Sequence, residues 1–223
     1  MNIVSRMLSR YRPQQENIET GVLIGWYLRK GGLAFVRGFL WRIRIGSAKF
    51  PMFFGRRVSI MYGKNIVMGS SCVIGDNSII NAFGKRGITL GDSVTIREGA
   101  WIQCASHPSN PGEGLVVGSR TYIGPNSIIG VGGKIEIGEG CQFGSGVTLI
   151  AENHVLDEIG RASSHSVVRR GITIGEGCWL GHRVVVLDGV VLGNHCTVGA
   201  GAVVTRSFPE GSVLAGVPAR LIS

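Results

Sequence analysis

Histidine is the side chain whose ordinary pKa, about 6.5, lets it move a proton near neutrality, and the chain holds five. Two of them close a six-residue phrase that opens on an aliphatic residue: Ile102-Gln-Cys-Ala-Ser-His107 and Leu149-Ile-Ala-Glu-Asn-His154. Each phrase is followed by a break in the surrounding pattern, so each imidazole stands at the mouth of a loop. A histidine so placed can accept the proton of an attacking hydroxyl, general-base work worth about 10²–10⁴ in rate. It can equally be a solvated corner residue, and position alone does not choose between His107 and His154. Glu152 and Asp157 lie close enough in sequence to orient the imidazole of His154. His182 and His195, thirteen residues apart in neutral surroundings, read as solvated faces, and the five histidines show no converging set of three for a metal. Cys72, Cys104, Cys141, Cys178 and Cys196 form no CxxC pair and read as reduced, buried thiols of a cytoplasmic protein.

The elements that position these residues follow from an internal repeat. An aliphatic residue recurs every six positions and groups in threes: Met68, Ile74, Ile80; Leu90, Ile96, Ile102; Val117, Ile123, Ile129; Ile137, Phe143, Leu149; Ile174, Leu180, Val186; Leu192, Val198, Val204. Gly follows twelve of the eighteen. One hexad is a short strand and a corner, and three make one triangular coil of a parallel β-helix. This predicts about six coils, with Gly after the aliphatic residue adopting the corner conformation that a Cβ would strain. The fifth residue of each hexad should point inward and be small; four of the five cysteines, all but Cys104, fall there, while Asn153 and Phe208 are exceptions. The extra residues between groups fall mainly at 108–116 and 155–173, which are predicted as loops and as the first places to look for a binding face.

The 36 glycines, about one residue in six, exclude a helical bundle, since an interior Gly costs a helix roughly 0.5–1 kcal/mol relative to Ala. The formal charge of +9 is not spread evenly. Residues 1–62 hold eleven Lys or Arg against Glu16 and Glu19, and the rest of the chain balances. The expected organisation is therefore a basic N-terminal segment (1–62), a hexad prism (63–210) and a tail (211–223). Val22 to Ile45 is predicted to be helical, either covering the open first coil and packing on a neighbouring subunit or lying on an anionic membrane surface. Arg29, Lys30, Arg37, Arg42 and Arg44 break it as a membrane span. No nucleic-acid-binding motif accompanies the charge.

The ordered combination of Asn153-His154, Ile172-Thr-Ile-Gly-Glu-Gly-Cys-Trp179-Leu-Gly181, Gly199-Ala-Gly-Ala-Val-Val-Thr205-Arg206 and Ala215-Gly-Val-Pro-Ala-Arg220-Leu-Ile222 resembles the hexapeptide-repeat acyltransferases. The likeness is to the galactoside, maltose and nodulation O-acetyltransferase type, and to exopolysaccharide acetyltransferases of the colanic acid kind. The resemblance implies a left-handed parallel β-helix that forms a homotrimer, with acetyl-CoA in the groove between prisms and a saccharide hydroxyl as acceptor. It implies His154 as catalytic base, Glu152, Asn153 and Trp179 beside the substrate, and Gly181, His182, Ala200, Thr205, Arg206 and Arg220 at cofactor-contacting positions. No metal is expected. Backbone N–H groups at Gly181 and His182 are expected to receive the charge that develops on the thioester oxygen, and Arg206 or Arg220 to meet the CoA phosphates. The sequence ends at Ser223, where many members of that family continue with basic residues.

Alternatives stay open at this stage. Trp179 and Arg220 can be surface residues with no ligand. The acceptor can be serine, an antibiotic or an amino sugar acylated on nitrogen. From other classes, the prism can be a γ-carbonic-anhydrase-like hydratase or a trimeric scaffold without catalysis. The expected location is the cytoplasm, free or at the inner face of the membrane, where a lipid-linked saccharide would be met.

Overall fold

The computed structural model describes residues 31–104, 109–156 and 162–222. His107, Asp157 and the first part of the predicted helix, 22–30, lie outside the described residues. The chain divides into two compact units, Met1–Leu33 and Ala34–Ser223, and the second holds the repeat.

Alternate inward-facing aliphatics in short strands cannot be buried by one flat sheet, and here they are buried by closure into a three-sided, left-handed parallel β-helix. Face A stacks seven strands from Ser47–Ala48 to Val191–Leu192, and face C seven from Ser59–Met61 to Val203–Val204. Face B stacks nine, from Met52–Phe54 to Arg220–Leu221. Like positions sit on like positions: Ile137 on Ile174, Phe143 on Leu180, Leu149 on Val186. All eighteen aliphatic positions are at most 2% exposed and belong to one continuous core.

Among the described residues the small fifth-position side chains point inward as predicted, and Ser106 lies outside them. The polar ones are satisfied by the backbone: the hydroxyls of Thr121 and Ser127 donate to the carbonyls of Gly138 and Gly124, both at 2.8 Å. The thiols of Cys72, Cys141, Cys178 and Cys196 reach carbonyls at 3.1–3.2 Å. Burial pushes the pKa of Cys72 up to about 11 and that of Cys104 up to about 12, so neither is a nucleophile near neutrality.

The prism has seven coils rather than six, and it begins before residue 63. Strands Ser47–Ala48, Met52–Phe54 and Ser59–Met61 pair in parallel with the first strands expected from the hexads. Ala48, Phe54 and Ile60 keep the six-residue spacing there, but a small and an aromatic residue replace two of the aliphatics. At the other end the tail is also part of the prism. Val213–Ala215 extends face B, and Arg220–Leu221 folds back on it antiparallel. Phe208 bridges Leu192 and takes an inward place on face A, which explains its misfit as a fifth-position residue.

The glycine after each aliphatic does not hold the corner. Left-handed φ values fall two residues later, at Asn77, Ser93, Arg120, Asn126, Gly140, Gly146 and their equivalents. The preceding glycine is needed because adjacent coils touch: a Cβ on Gly138 would lie 2.6 Å from the Glu176 nitrogen. The two positions should therefore respond oppositely to one substitution. Gly140→Asn, at φ +67° with open space around it and Asn native at equivalent corners, should change stability by less than about 0.5 kcal/mol. Gly138→Asn should cost about 1–3 kcal/mol or more by forcing two coils apart. Urea unfolding midpoints check both.

Within the N-terminal segment, ahead of the coils, stands the helix α1, Leu33–Trp41. It lies against coil 1 through Ala34 and Gly38, both buried, and stacks Trp41 on Phe54 with ring centres 5.8 Å apart.

Candidate active site

After the last strand of coil 5, Thr148–Ile150 on face C, the chain leaves the prism as an antiparallel pair, Asn153–Leu156 with Ala162–Val168. The predicted loop at 155–173 is thus largely a β-hairpin, and His154 stands on its first strand, opposite Val167, with its side chain exposed. The base of the hairpin is held at two points. The Arg169 guanidinium donates from Nε to the Glu152 carboxylate at 2.7 Å, with Nη2 at 2.6 Å, and from Nη1 to the Pro111 carbonyl at 3.0 Å. This half-buried pair ties the hairpin to the segment before coil 4. Where the chain returns to coil 6, the Asp188 carboxylate accepts from the N–H groups of Arg170, at 2.9 and 3.0 Å, and Gly171, at 2.7 Å.

Glu152 is therefore engaged with Arg169, and its carboxylate acts first as a structural anchor two residues from His154. Arg169 was not singled out from the sequence. The available signal was the Arg169-Arg170 pair just before the coil resumes at Gly171, beside a lone acid at the loop's other end. Asn153 is exposed beside His154.

The other expected site residues divide between two edges of face C. Trp179, 55% exposed, lies on face B between Gln142 and Thr197. Gly181, His182 and Ala200 form the edge between faces B and C, in coils 6 and 7, and a Cβ on Gly181 would lie 2.6 Å from the Ala200 nitrogen. Arg220 is exposed at the end of face B. Thr205 and Arg206 follow the last strand of face C, on the edge between C and A from which the His154 hairpin also departs. Arg206 lies over the Phe208 ring at 5.0 Å. The chain thus brings Trp179, Gly181, His182 and Ala200 together on one side, and His154, Thr205 and Arg206 along the other edge.

Corner hydrogen bonds refine the expected donors. The Gly181 N–H donates to the Val198 carbonyl at 2.8 Å, so it is spent in the coil-to-coil ladder and cannot receive a thioester oxygen. At many corners the N–H one position further on is capped by a side chain from the next coil. Ser70 donates to Asp92, Glu176 to Asn194, and Ser145 to Nδ1 of His182 at 3.0 Å. At His182 itself the next coil offers Ala200, which has no acceptor. Among the described residues, the N–H groups of His182 and Ala200 have no hydrogen-bond partner.

Known proteins share this architecture. Residues 171–206 match the family model described as bacterial transferase hexapeptide (six repeats), and residues 65–104 match that of the hexapeptide repeat of succinyl-transferase. The chain is 40% identical over 80 residues to a galactoside O-acetyltransferase of Escherichia coli K12, a stretch covering 33% of this chain and 39% of that enzyme. It is 28% identical over 182 residues to a putative lipopolysaccharide biosynthesis O-acetyl transferase, WbbJ, of the same organism, covering 78% and 76%. The chain thus spans well under half of the first relative and about three quarters of the second. Among solved structures, a mutant of the N-acyltransferase AntD from Bacillus cereus, in complex with dTDP and coenzyme A, superposes with a TM-score of 0.59 at 17% identity. That match covers 83% of this chain and 87% of the other, a likeness of fold.

Proposed function

We propose that the chain is a hexapeptide-repeat acyltransferase, an acetyl-CoA-dependent O-acetyltransferase acting on a saccharide hydroxyl in surface-polysaccharide synthesis, a reading supported by the hexapeptide family models that match residues 171–206 and 65–104. The observation that carries this reading is the edge between faces B and C, where the His182 and Ala200 N–H groups are uncovered beside the close-packed Gly181. A narrow, glycine-lined edge with open amide donors suits the pantetheine arm of CoA, which carries amide groups of its own. Related proteins point the same way: galactoside and lipopolysaccharide O-acetyl transfer in two relatives, and coenzyme A in a complex of the same fold.

In the proposed reaction the acceptor O–H gives its proton to His154 as its oxygen attacks the thioester carbon. The tetrahedral oxyanion is met by the His182 N–H, the donor that the Gly181 ladder bond leaves for this role. Collapse breaks the C–S bond, and the CoA thiolate takes the proton from the imidazolium. Trp179 and Asn153 flank the acceptor, and Arg206 and Arg220 meet the phosphates. Both substrates sit together, so no acylated Ser or Cys is needed.

His154 and the His182 edge lie on opposite sides of face C, so the reading requires a second copy that brings one edge beside the other. Face C supports this with Ile79, Trp101 and Ile128, each about 40% exposed and in register, an apolar column suited to packing between copies in a homotrimer. The enzyme would work in the cytoplasm. Thiol release from acetyl-CoA, measured against a panel of free and nucleotide-linked sugars, tests the proposal. Acceptor-dependent release with an acetyl ester as product is the expected result. Zinc-dependent hydration of CO₂ without such release would overturn it.

A further inference from the structure

Helix α1 is built inside out. Its small residues, Ala34 and Gly38, face coil 1, where any Cβ on Gly38 would strike the backbone of Met52. Its large apolar residues face away: Val36 is 54% exposed, Phe39 59% and Leu40 62%, and Ile43 just beyond the helix is 78% exposed. Phe35 and Phe50 extend the surface, with their rings 4.8 Å apart at the edge of the patch. A surface helix of a water-soluble prism normally carries the opposite arrangement, and a contiguous exposed apolar patch marks an interaction site.

What the patch contacts is indicated by the charges around it. From Ala34 to Gly75 the chain has seven Lys or Arg and no acid, and the next carboxylate, Asp76, is paired with Arg56 at 3.2 Å. Arg37, Leu40, Trp41, Ile43 and Arg44 line one open depression, with the Arg44 guanidinium over the Trp41 ring at 5.2 Å. Arg42 is exposed beside it, and the Lys64 ammonium donates to the Ile43 carbonyl at 2.9 Å. Apolar side chains that reach outward beside Arg37, Arg42 and Arg44 match the acyl boundary and phosphate layer of an anionic bilayer, and a Trp with a guanidinium over its face suits the interfacial region. Among the described residues no helix is long and apolar enough to cross a membrane.

We propose that α1 and the residues to Phe50 dock this protein on the surface of an anionic lipid bilayer, with Phe35, Val36, Phe39, Leu40 and Ile43 entering the boundary and Arg37, Arg42 and Arg44 meeting headgroup phosphates. The inference stands apart from the proposed chemistry, because its test needs no turnover. Full-length protein is floated with vesicles of phosphatidylcholine alone or mixed with phosphatidylglycerol, at low and high salt. Binding should require phosphatidylglycerol and fall with salt. Phe39→Glu with Leu40→Glu should weaken it at least about tenfold, as should Arg42→Gln with Arg44→Gln. Should the first variant unfold, the second, which leaves the apolar packing in place, decides alone. Absence of phosphatidylglycerol-dependent binding, or binding unchanged in the charge variant, overturns the proposal. So does a change in oligomer size for Phe39→Glu with Leu40→Glu while vesicle binding persists, which would assign the patch to a contact between copies.

Discussion

His154→Ala is expected to lower kcat for acetyl transfer about 10²–10⁴-fold, the range for loss of a general base, or about 2.7–5.5 kcal/mol of barrier. The KM for acetyl-CoA should change little, because in the proposed reaction His154 takes the acceptor's proton and is assigned no contact with the CoA arm. Folding should be intact, since the His154 side chain is exposed on a hairpin outside the core. Steady-state rates of thiol release, with the urea midpoint as a folding control, check the prediction. Transfer at an undiminished rate would remove His154 from the mechanism, whatever the acceptor.

The second large effect is on stability. Phe143 is 2% exposed and lies in coil 5, in register with Leu180, where most other inward positions are Ile, Leu or Val. Phe143→Ala should cost about 3–5 kcal/mol, a large part of a total of about 5–15 kcal/mol. For a chain of this size that corresponds to a Tm lower by roughly 6–20 °C. The cavity would open in the coil that launches the His154 hairpin, and each coil is stabilised chiefly by its neighbours. Thermal unfolding followed by circular dichroism reads the shift, and a fall under about 1 kcal/mol would mean that the coils collapse around the gap.

The hexads were legible because burial inside a triangular prism leaves little choice at two of six positions. An aliphatic residue fills each flat side and a small one fits beside it, so Ile123, Thr121 and Cys141 could be placed from spacing alone. Coil 1 was hidden because Ala48 and Phe54 satisfy the same geometry with atypical volumes, within a basic segment whose charge suggested a separate element. The glycine count pointed to the right fold through the wrong cause. A close approach between coils leaves the same mark in a sequence as a left-handed corner, and only the backbone separates Gly138 from Gly140. At the candidate site, His154 and Trp179 stood out as residue types. The fixing of Glu152 by Arg169 depends on a contact 17 residues apart that no periodicity encodes, and the loss of the Gly181 N–H follows from the coil-to-coil ladder, which becomes visible only once successive coils are stacked in register.

Asp188 carries one more consequence. By accepting the N–H groups of Arg170 and Gly171, it completes the corner at which the hairpin rejoins coil 6, while coils 5 and 6 are already paired through Ile135–Ile137 and Ile172–Ile174. The stem of the insertion is thus closed by groups that belong to the prism. Beyond Asn153 and His154 the arm can lengthen, shorten or change composition without disturbing the register of any coil. On the proposed reaction, acceptor choice can then diverge through the outer part of the hairpin while the edge holding His182 and Ala200 stays the same.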